Sequence, residues 1–322
     1  MIPRLKLVHL PTPVEFLPRL SARLGGPQIL VKRDDLTGLA FGGNKTRKLE
    51  FLLADAQAKE SRTILTSGAV QSNHCRQTAA ASARFGFDCL LVLAGDPPEH
   101  PSANLLLDNL LGAEIVWTTP SERDAALQEA FEKASAEGRK PYLIPYGGSN
   151  PLGALAYAYA MEELLRQDTQ ADWIVFATSS GGTHAGLALG ARAFGYQGRL
   201  LGISVDEPWA VLQERTARLA SETSLLLERK SDFKPGEILV NADYCSAGYG
   251  VMTAAEVEAI RLFAHHEGLL LDPVYTGRAA AGMIDLIRRG SFKKGERVLF
   301  WHTGGQPALF SEKYQAMLSA TS

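Results

Sequence analysis

The feature that most constrains the fold is the alternation of short apolar runs with longer segments of helical periodicity. Runs typical of buried strands lie at residues 29–32, 63–66, 89–93, 114–117, 142–144, 173–177, 200–205 and 297–301. Several of these runs are almost wholly apolar, as expected for parallel strands that helices cover on both faces. The alternation therefore predicts an α/β protein with parallel sheets.

Two segments between these runs have the pattern of amphipathic helices. Residues 45–58 repeat apolar side chains at helical spacing, at Leu49, Leu52, Leu53 and Ala56. Residues 121–137 begin with Ser121, a residue type that favours the N-cap position, and end before Gly138. Helices are the usual connections between parallel strands, so both segments agree with the α/β prediction.

The composition excludes several classes of protein. The chain has 322 residues and a formal net charge of −2, so neither nucleic acid nor an anionic membrane is indicated as a partner. The three cysteines, Cys75, Cys89 and Cys245, show no disulfide framework and no metal-binding spacing, which fits a reducing compartment. No apolar run approaches the length of a membrane span and the N-terminus has no signal-peptide pattern, so we expect a cytoplasmic protein.

A glycine-rich turn follows the predicted strand at 173–177. Residues 179–190 read SSGGTHAGLALG and open a helix of small residues. Glycines let backbone N–H groups approach an anion, and the positive end of the helix dipole favours negative charge. Ser179, Ser180 and Thr183 add hydroxyl donors, and no lysine or arginine lies in the turn. The order of strand, glycine pair, hydroxyls and helix predicts a phosphate site.

Two other strand ends carry polar side chains that can face a ligand. Ser72 and Asn73 follow the strand at 63–66, where either one could simply cap the next helix. His74 has no partner acid nearby in sequence, so a structural role is favoured for it. Thr303 ends the strand at 297–301 and precedes two glycines, a pattern that also fits an ordinary turn. In open α/β sheets ligands bind beyond the carboxyl ends of strands, so these residues are candidates.

The segment FGGNKTRKLE places Lys45 near the start of the helix at 45–58. The positive end of the helix dipole penalises an ammonium there, and like charges on Lys48 and Arg47 are expected to penalise it further. A neutral amine is the form that condenses with an aldehyde to a Schiff base, and pyridoxal phosphate is the aldehyde that also needs a phosphate site. A nucleotide-binding P-loop is disfavoured, because Asn44 replaces the glycine that would precede its lysine.

Five blocks of the sequence together resemble the D-cysteine desulfhydrase and 1-aminocyclopropane-1-carboxylate (ACC) deaminase family of pyridoxal-phosphate enzymes. The blocks are KRDDLTGLAFGGNKTRKLE, QSNHCRQTAA, SSGGTHAGL, LLLDPVYTGRAAAGMIDL and HTGGQPALF, and they span nearly the whole chain in order. The resemblance implies pyridoxal 5'-phosphate as cofactor and a small amino acid as substrate.

The resemblance also implies an architecture. It is the tryptophan-synthase-β-like fold (fold type II), with two domains, three α/β/α layers and parallel sheets, and its members are mostly homodimers. With a polar hinge candidate at residues 166–171, we expect a large cofactor-binding domain at 1–47 plus 160–322 and a small domain at 48–159.

The resemblance assigns roles to individual side chains. Lys45 would carry the cofactor as a Schiff base, and Asn73 would hydrogen-bond its ring hydroxyl. Ser72 would bind the substrate carboxylate or relay a proton, and Tyr249 and Tyr275 would face the substrate. The phosphate would be held by Ser179, Ser180, Gly181, Gly182 and Thr183.

Two threonines bear on the reaction. The ACC deaminases of the family that this chain resembles carry glutamate at the position of Thr276 and leucine at the position of Thr303. The desulfhydrase-like members carry threonine at both positions, as this chain does. A carboxylate beside the pyridine nitrogen keeps it protonated and makes the ring a strong electron sink, while a hydroxyl leaves a weaker one. A weaker sink suffices to expel a good leaving group from Cβ, so β-elimination of hydrogen sulfide from D-cysteine is favoured.

Three alternatives stay open. An L-cysteate sulfo-lyase would release sulfite, but its larger sulfonate needs extra donors, and Arg76 and Arg278 are expected to be solvated or ion-paired surface charges. An ACC deaminase is the second alternative. A phosphate-ligand sensor on the same fold, with no need of a neutral lysine, is the third.

Overall fold

The protein is described by a computed structural model covering residues 2–319. In this range the strands are β1 (Val14–Phe16), β2 (Gln28–Arg33), β3 (Thr63–Ala69), β4 (Asp88–Ala94), β5 (Glu114–Thr118), β6 (Pro141–Leu143), β7 (Trp173–Thr178), β8 (Arg199–Ser204), β9 (Leu239–Asn241) and β10 (Arg297–His302). One sheet has the order β1-β2-β10-β7-β8-β9 and the other β5-β4-β3-β6. Their pairings are parallel except that of β1 with β2, which confirms an α/β fold with parallel sheets.

Helices connect the strands. They are α1 (Pro18–Leu24), α2 (Asn44–Ala58), α3 (Asn73–Phe85), α4 (Ala103–Leu110), α5 (Arg123–Ala136), α6 (Pro151–Arg166), α7 (Gly182–Phe194), α8 (Trp209–Leu226), α9 (Ala254–Glu267), α10 (Thr276–Arg288) and α11 (Glu312–Ser319). Between residues 2 and 319 none of them combines the length and apolar character that a bilayer crossing requires.

The six-stranded sheet is buried on both faces, as alternate residues of β10 show. Val298 and Phe300 belong to the apolar cluster that includes residues of α9 and α10. Leu299 and Trp301, which point the other way, belong to the cluster that includes residues of α6 and α7. The result is the three-layer α/β/α arrangement, and it explains why the strand reads as a continuous apolar run.

The predicted strands are all present, with ends that differ by up to three residues. Strands β1 and β9 were not predicted, because three partly exposed residues are too few to show a period. The N-cap prediction for Ser121 was wrong. Helix α5 begins at Arg123 after Glu122, and the Ser121 hydroxyl lies outside it, 3.1 Å from the Thr119 hydroxyl.

The predicted domain division places each sheet within one unit. All four strands of the smaller sheet lie in 48–159, and all strands of the larger sheet lie in 1–47 plus 160–322. We therefore propose these ranges as the two domains.

A buried ion pair fixes the start of α2 against the larger sheet. Arg47 in the first turns of α2 donates from Nη2 to Asp34 Oδ1 at 2.8 Å and from Nε to Asp34 Oδ2 at 2.9 Å. The same guanidinium contacts Glu163 of α6 at 3.0 Å. The other donors to the Asp34 carboxylate are Thr12, Tyr157 and Trp301. The lysine two residues before Arg47 is thereby held in a fixed direction.

The pair makes stability depend on pH in the acid range. Burial raises the pKa of Asp34, but the charge and hydrogen bonds of Arg47 outweigh it and lower the pKa to about 2. An aspartate in the unfolded chain has a pKa near ~4. The folded pKa is depressed, so this contribution to stability is complete above pH ~4 and is lost as the pH falls toward about 2.

We predict that Asp34→Asn destabilises the fold by about 3–5 kcal/mol, because it leaves the buried Arg47 guanidinium without its full counter-charge. Urea unfolding followed by circular dichroism measures the loss. Glu258→Gln is the matched control: it removes an exposed pair with Arg288 and should lose no more than about 1 kcal/mol. Equal losses in the two variants would contradict the anchoring role of Asp34.

Candidate active site

A cavity lies where turns after strands of both sheets meet. It contains about 620 Å³ of empty space, part of it open to solvent. The predicted residues that line it are Lys45, Ser72, Asn73, Ser179, Ser180, Gly181, Thr183, Tyr275 and Thr303. The structure thus brings together residues that are far apart in the sequence, at the carboxyl ends of β2, β3, β7 and β10. Of the remaining predicted residues, Gly182, Tyr249 and Thr276 lie outside this wall.

The loop that delivers Lys45 has an unusual backbone. Ala40 and Phe41 adopt φ values of 42° and 68°, in the left-handed region that non-glycine residues rarely enter. Gly42 continues at φ 60°, and a side chain there would overlap the carbonyl oxygen of Asp35. Gly43 ends the loop, and α2 begins at the next residue. The tight loop puts Lys45 in the first turn of α2 with its amine at the cavity.

Burial explains the state of the Lys45 amine. Desolvation lowers its pKa from 10.5 to about 8. Such a shift raises the neutral fraction at neutral pH by two to three orders of magnitude over an ordinary lysine. The lowered pKa agrees with the prediction from the sequence, but its cause is burial and not the predicted helix dipole and neighbouring charges.

The expected roles of the neighbouring charges were wrong. Burial, and then the charge of Lys45, lower the pKa of Lys48 well below its ordinary value. As a hydrogen-bond partner, Lys48 raises the pKa of Lys45. Arg47 adds no net charge near Lys45, since Asp34 and Glu163 neutralise it. Within residues 2–319 no carboxylate lines the cavity, so no opposite charge offsets the burial of Lys45 there.

Lys48 also belongs to the predicted phosphate site. Its Nζ donates to Gly147 O at 3.1 Å and to Ser149 Oγ at 3.3 Å. A Cβ built on Gly182, the first residue of α7, would lie 2.8 Å from that Nζ. The site therefore has a basic side chain from a different element, which was not predicted because a cation was expected only inside the turn at 179–183.

The hydroxyls of the turn are not all available to a phosphate. Ser179 donates its proton to Asp206 Oδ2 at 3.1 Å, so its hydroxyl faces a carboxylate instead. Ser180 Oγ lies 2.8 Å from Ser149 Oγ, and Thr183 Oγ1 accepts from Asn44 at 3.1 Å, which leaves its own proton free. The first turn of α7 with Ser180 and Thr183 therefore supplies the donors.

The turn after β3 carries a cap and two further cavity residues. Ser72 is the N-cap of α3, where its Oγ accepts from Cys75 N at 3.2 Å, and it also lines the cavity. Asn73 receives a hydrogen bond from Asn104 on its Oδ1 at 2.9 Å. His74 lies 2.9 Å from Thr66 Oγ1 through Nε2, and burial lowers its pKa well below the ordinary value. Capping and ligand contact are thus compatible for Ser72.

Two tyrosine hydroxyls form a pair at the cavity. Tyr249 and Tyr275 lie 2.9 Å apart through their hydroxyls, and Tyr275 is the one that reaches the cavity wall. Burial raises the pKa of both well above 10, so both stay protonated and can donate.

The two threonines of interest lie in different places. Thr303 lines the cavity, whereas Thr276 is fully buried and donates its hydroxyl proton to Asp272 Oδ1 at 2.7 Å. Within residues 2–319, the cavity wall contains no aspartate or glutamate. Of these two threonines, Thr303 is therefore the one that reaches the cavity.

The expectation that Arg76 and Arg278 are surface charges was wrong. Both are almost completely buried, with exposures of 0% and 1%. Arg278 is ion-paired with Glu256 at 2.7 Å and donates to backbone carbonyls, while Arg76 donates to the carbonyls of Ala40 and Gly42. Neither side chain is part of the cavity wall.

These residues fit pyridoxal phosphate. Four groups lie around one cavity. They are the Lys45 amine with its lowered pKa, the N-terminus of α7 with Lys48 for a phosphate, the Asn73 amide as a donor, and the Thr303 hydroxyl for a ring nitrogen. Lys45 follows β2, whereas the α7 turn follows β7, so the amine and the phosphate site lie at separate places around the cavity. A rigid aldehyde with a phosphate arm needs two such separate sites.

Comparison with known proteins agrees with this fit. The sequence profile of the family described as pyridoxal-phosphate dependent enzyme matches residues 5–304. A D-cysteine desulfhydrase of Klebsiella pneumoniae (strain 342) is 44% identical over 323 residues, which cover 96% of this chain and 96% of that protein. A crystal structure of an ACC deaminase homologue superposes with a TM-score of 0.90 at 40% identity, covering 98% of this chain and 95% of the other.

We predict that capture of pyridoxal by the cofactor-free protein accelerates with rising pH and levels off above about 8, because only the neutral Lys45 amine reacts. The rate at pH 7 should be about tenfold below the plateau. Stopped-flow absorbance measures it, with Lys45→Ala as the blank.

Lys48→Met separates the two explanations of the shifted pKa. Loss of the hydrogen-bond partner should move the midpoint of the pH profile below that of the wild type. A midpoint that moves upward would mean that Lys48 acts by charge repulsion and not as a hydrogen-bond partner that raises the pKa of Lys45.

Proposed function

The chain belongs to the family of pyridoxal-phosphate dependent enzymes, and on that premise we propose that it is a carbon–sulfur lyase acting on D-cysteine. The reaction converts D-cysteine and water to pyruvate, hydrogen sulfide and ammonia. The observation that carries the proposal is the near full-length identity of 44% to a D-cysteine desulfhydrase. The cavity supports it, since Lys45 and the α7 turn lie on the same wall.

We assign the holding of the cofactor to five groups. Lys45 Nζ captures the aldehyde. The N-terminal turn of α7 and Lys48 hold the phosphate, because the helix end and the ammonium both favour an anion. Asn73 donates to the ring hydroxyl oxygen, and Thr303 contacts the ring nitrogen. Pyridoxal phosphate, when bound, supplies the electron sink for the reaction at Cα.

We assign the chemistry on the substrate to three side chains. Ser72 and the free N–H groups at the start of α3 bind the substrate carboxylate, which an N-terminus of a helix attracts. The free amine of Lys45 accepts the Cα proton. Tyr275, kept protonated by burial and backed by Tyr249, donates to the departing sulfur.

The chemistry of the wall supports elimination of a good leaving group. The wall includes the hydroxyl residue Thr303, and no acidic side chain of residues 2–319 lines the cavity that could keep a pyridine nitrogen protonated. This disfavours the ACC deaminase alternative, in which a cyclopropane ring must be opened. Release of sulfite from L-cysteate is disfavoured because Arg76 and Arg278 are bound elsewhere and bring no charge to the cavity. A sensor without catalysis is not favoured, because the family is one of enzymes.

We also propose a cytoplasmic homodimer without nucleic acid or membrane partners. Exposed apolar side chains on neighbouring elements support a self-association surface. Leu106 and Leu110 lie on α4, Phe310 lies in the segment after β10 that contacts α4, and Phe41 lies before α2 in a segment that contacts α3. Light scattering at micromolar concentration measures the oligomeric state.

We predict that Lys45→Ala abolishes the release of pyruvate and sulfide from D-cysteine while the circular dichroism spectrum stays that of the wild type. Lys59→Ala, an exposed lysine after the end of α2, is the matched control and should retain full activity. Borohydride treatment of the yellow wild-type protein should fix the cofactor to the peptide that contains Lys45. Sulfide release by the Lys45→Ala protein at the normal rate would refute the assignment.

We predict that pyruvate from D-cysteine is accompanied by an equal amount of sulfide, and that L-cysteate and ACC yield at least about tenfold less product. Separate assays for sulfide, sulfite and 2-oxobutyrate distinguish the three activities. Dominant sulfite release would favour the sulfo-lyase, and dominant 2-oxobutyrate the deaminase.

A further inference from the structure

A chain of buried hydrogen bonds leads from Arg76 to the cavity. Arg76 Nε on α3 donates to Asn104 Oδ1 on α4 at 3.1 Å. Asn104 Nδ2 donates in turn to Asn73 Oδ1 at 2.9 Å. Arg76 and Asn104 are fully buried and do not reach the cavity, whereas Asn73 lines it. The chain therefore connects the interior of the smaller-sheet region to a residue of the site.

The direction of each hydrogen bond is forced by chemistry. A guanidinium has only donors, so the atom of Asn104 that faces Arg76 must be its oxygen. The Asn104 NH2 group then faces the other way, where its hydrogens go to Gln71 O at 3.0 Å and to Asn73. The atom of Asn73 that receives it must be the oxygen. Neither the Asn104 amide nor the Asn73 amide can be flipped without placing two donors or two acceptors against each other.

One donor remains at the end of this series of hydrogen bonds. Asn73 Nδ2 has no acceptor within residues 2–319 and lies against Gly305, where an added Cβ would be 2.7 Å away. Gly305 follows Gly304, which lines the cavity. The hydrogen-bond directions that Arg76 imposes therefore leave the Asn73 N–H group at the cavity without a partner in residues 2–319.

We propose that Asn104 and Arg76 are positioning residues that hold the Asn73 amide with its NH2 group toward the ring oxygen of pyridoxal phosphate. This inference rests on the role of Asn73 under the proposed function. An N–H donor stabilises the deprotonated ring oxygen, whereas a flipped amide would place an oxygen against it. The chain thereby favours the ionised state of the bound cofactor.

Arg76 couples this orientation to the loop before Lys45. Its Nη1 donates to the carbonyls of Ala40 and Gly42, in the segment with left-handed backbone. Burial lowers the pKa of Arg76 to about 10, with the charge of Asp108 acting against the shift, so the group stays a cation near neutral pH. One guanidinium therefore sets both the loop that delivers the amine and the amide that contacts the ring.

Two substitutions at Asn104 test the proposal. Asn104→Asp keeps an acceptor for Arg76 but removes the donor to Asn73, so the Asn73 amide should flip and present its oxygen to the cavity. Asn104→Leu removes both contacts and leaves the amide free to take either orientation. Thr78→Val is the matched control, because Thr78 is buried on the same helix as Arg76 and its hydroxyl has no partner within the described residues.

The readouts are the absorption spectrum of the bound cofactor and its dissociation constant. The ratio of visible to near-ultraviolet absorbance should fall in the order wild type and Thr78→Val, then Asn104→Leu, then Asn104→Asp. The dissociation constant of pyridoxal 5'-phosphate should rise about 10-fold in Asn104→Asp, the effect of one hydrogen bond to a charged group.

A double-variant cycle separates positioning from folding. In the Asn73→Ala background, Asn104→Asp should change neither spectrum nor affinity, because the residue through which it acts is gone. An equal effect in both backgrounds, or an unchanged spectrum in the single variant, would overturn the proposal. Neither readout uses D-cysteine turnover, so a wild-type protein inactive on D-cysteine would refute the proposed function alone.

Discussion

The pair between Arg47 and Asp34 is the interaction on which the geometry of the site depends. Burying two charges is expensive, and it is tolerated here because each oxygen of Asp34 is saturated with donors. The pair joins the first turns of α2 to the end of β2, while Glu163 ties the same guanidinium to α6. Residues two apart on a helix point about 200° apart. With Arg47 fixed toward the interior between sheet and α6, Lys45 has to face the opposite way, toward the cavity.

Three basic side chains within one helical turn differ in the direction of their pKa shifts, and their partners decide the direction. Arg47 is buried with two carboxylates and keeps its charge. Lys45 and Lys48 are buried without any carboxylate partner, and their pKa values fall. Under the proposed function, a phosphate beside Lys48 would favour the ammonium form of Lys48. The lowered pKa of Lys45, which the proposed reaction needs, would still depend on the burial of its amine.

Local signals in the sequence were sufficient for the fold class and the strands of the larger runs, and together with the family resemblance they named nine of the residues that line the cavity. The loop before Lys45 and the turn before α7 were recognisable because both contain glycines, and these glycines adopt positive φ values that other residues rarely reach. Contacts distant in sequence were not accessible. The partners of Arg47 lie 13 and 116 residues away, and the burial of Arg76 depends on packing between α3 and α4. An arginine in a helix looks the same in sequence whether it faces water or closes a buried network.

The absence of acidic side chains from the cavity wall of residues 2–319 links the state of the lysines to the choice of reaction. A carboxylate at that wall would hold the Lys45 ammonium in its charged form and would also keep a pyridine nitrogen protonated. Neither effect arises at a wall without acidic side chains, such as that of residues 2–319. The site then gains a more nucleophilic amine and loses electron-withdrawing strength at the ring. That combination suits a substrate whose leaving group departs readily and handicaps one whose carbon–carbon bond must be opened, so a single electrostatic property of the wall favours carbon–sulfur cleavage.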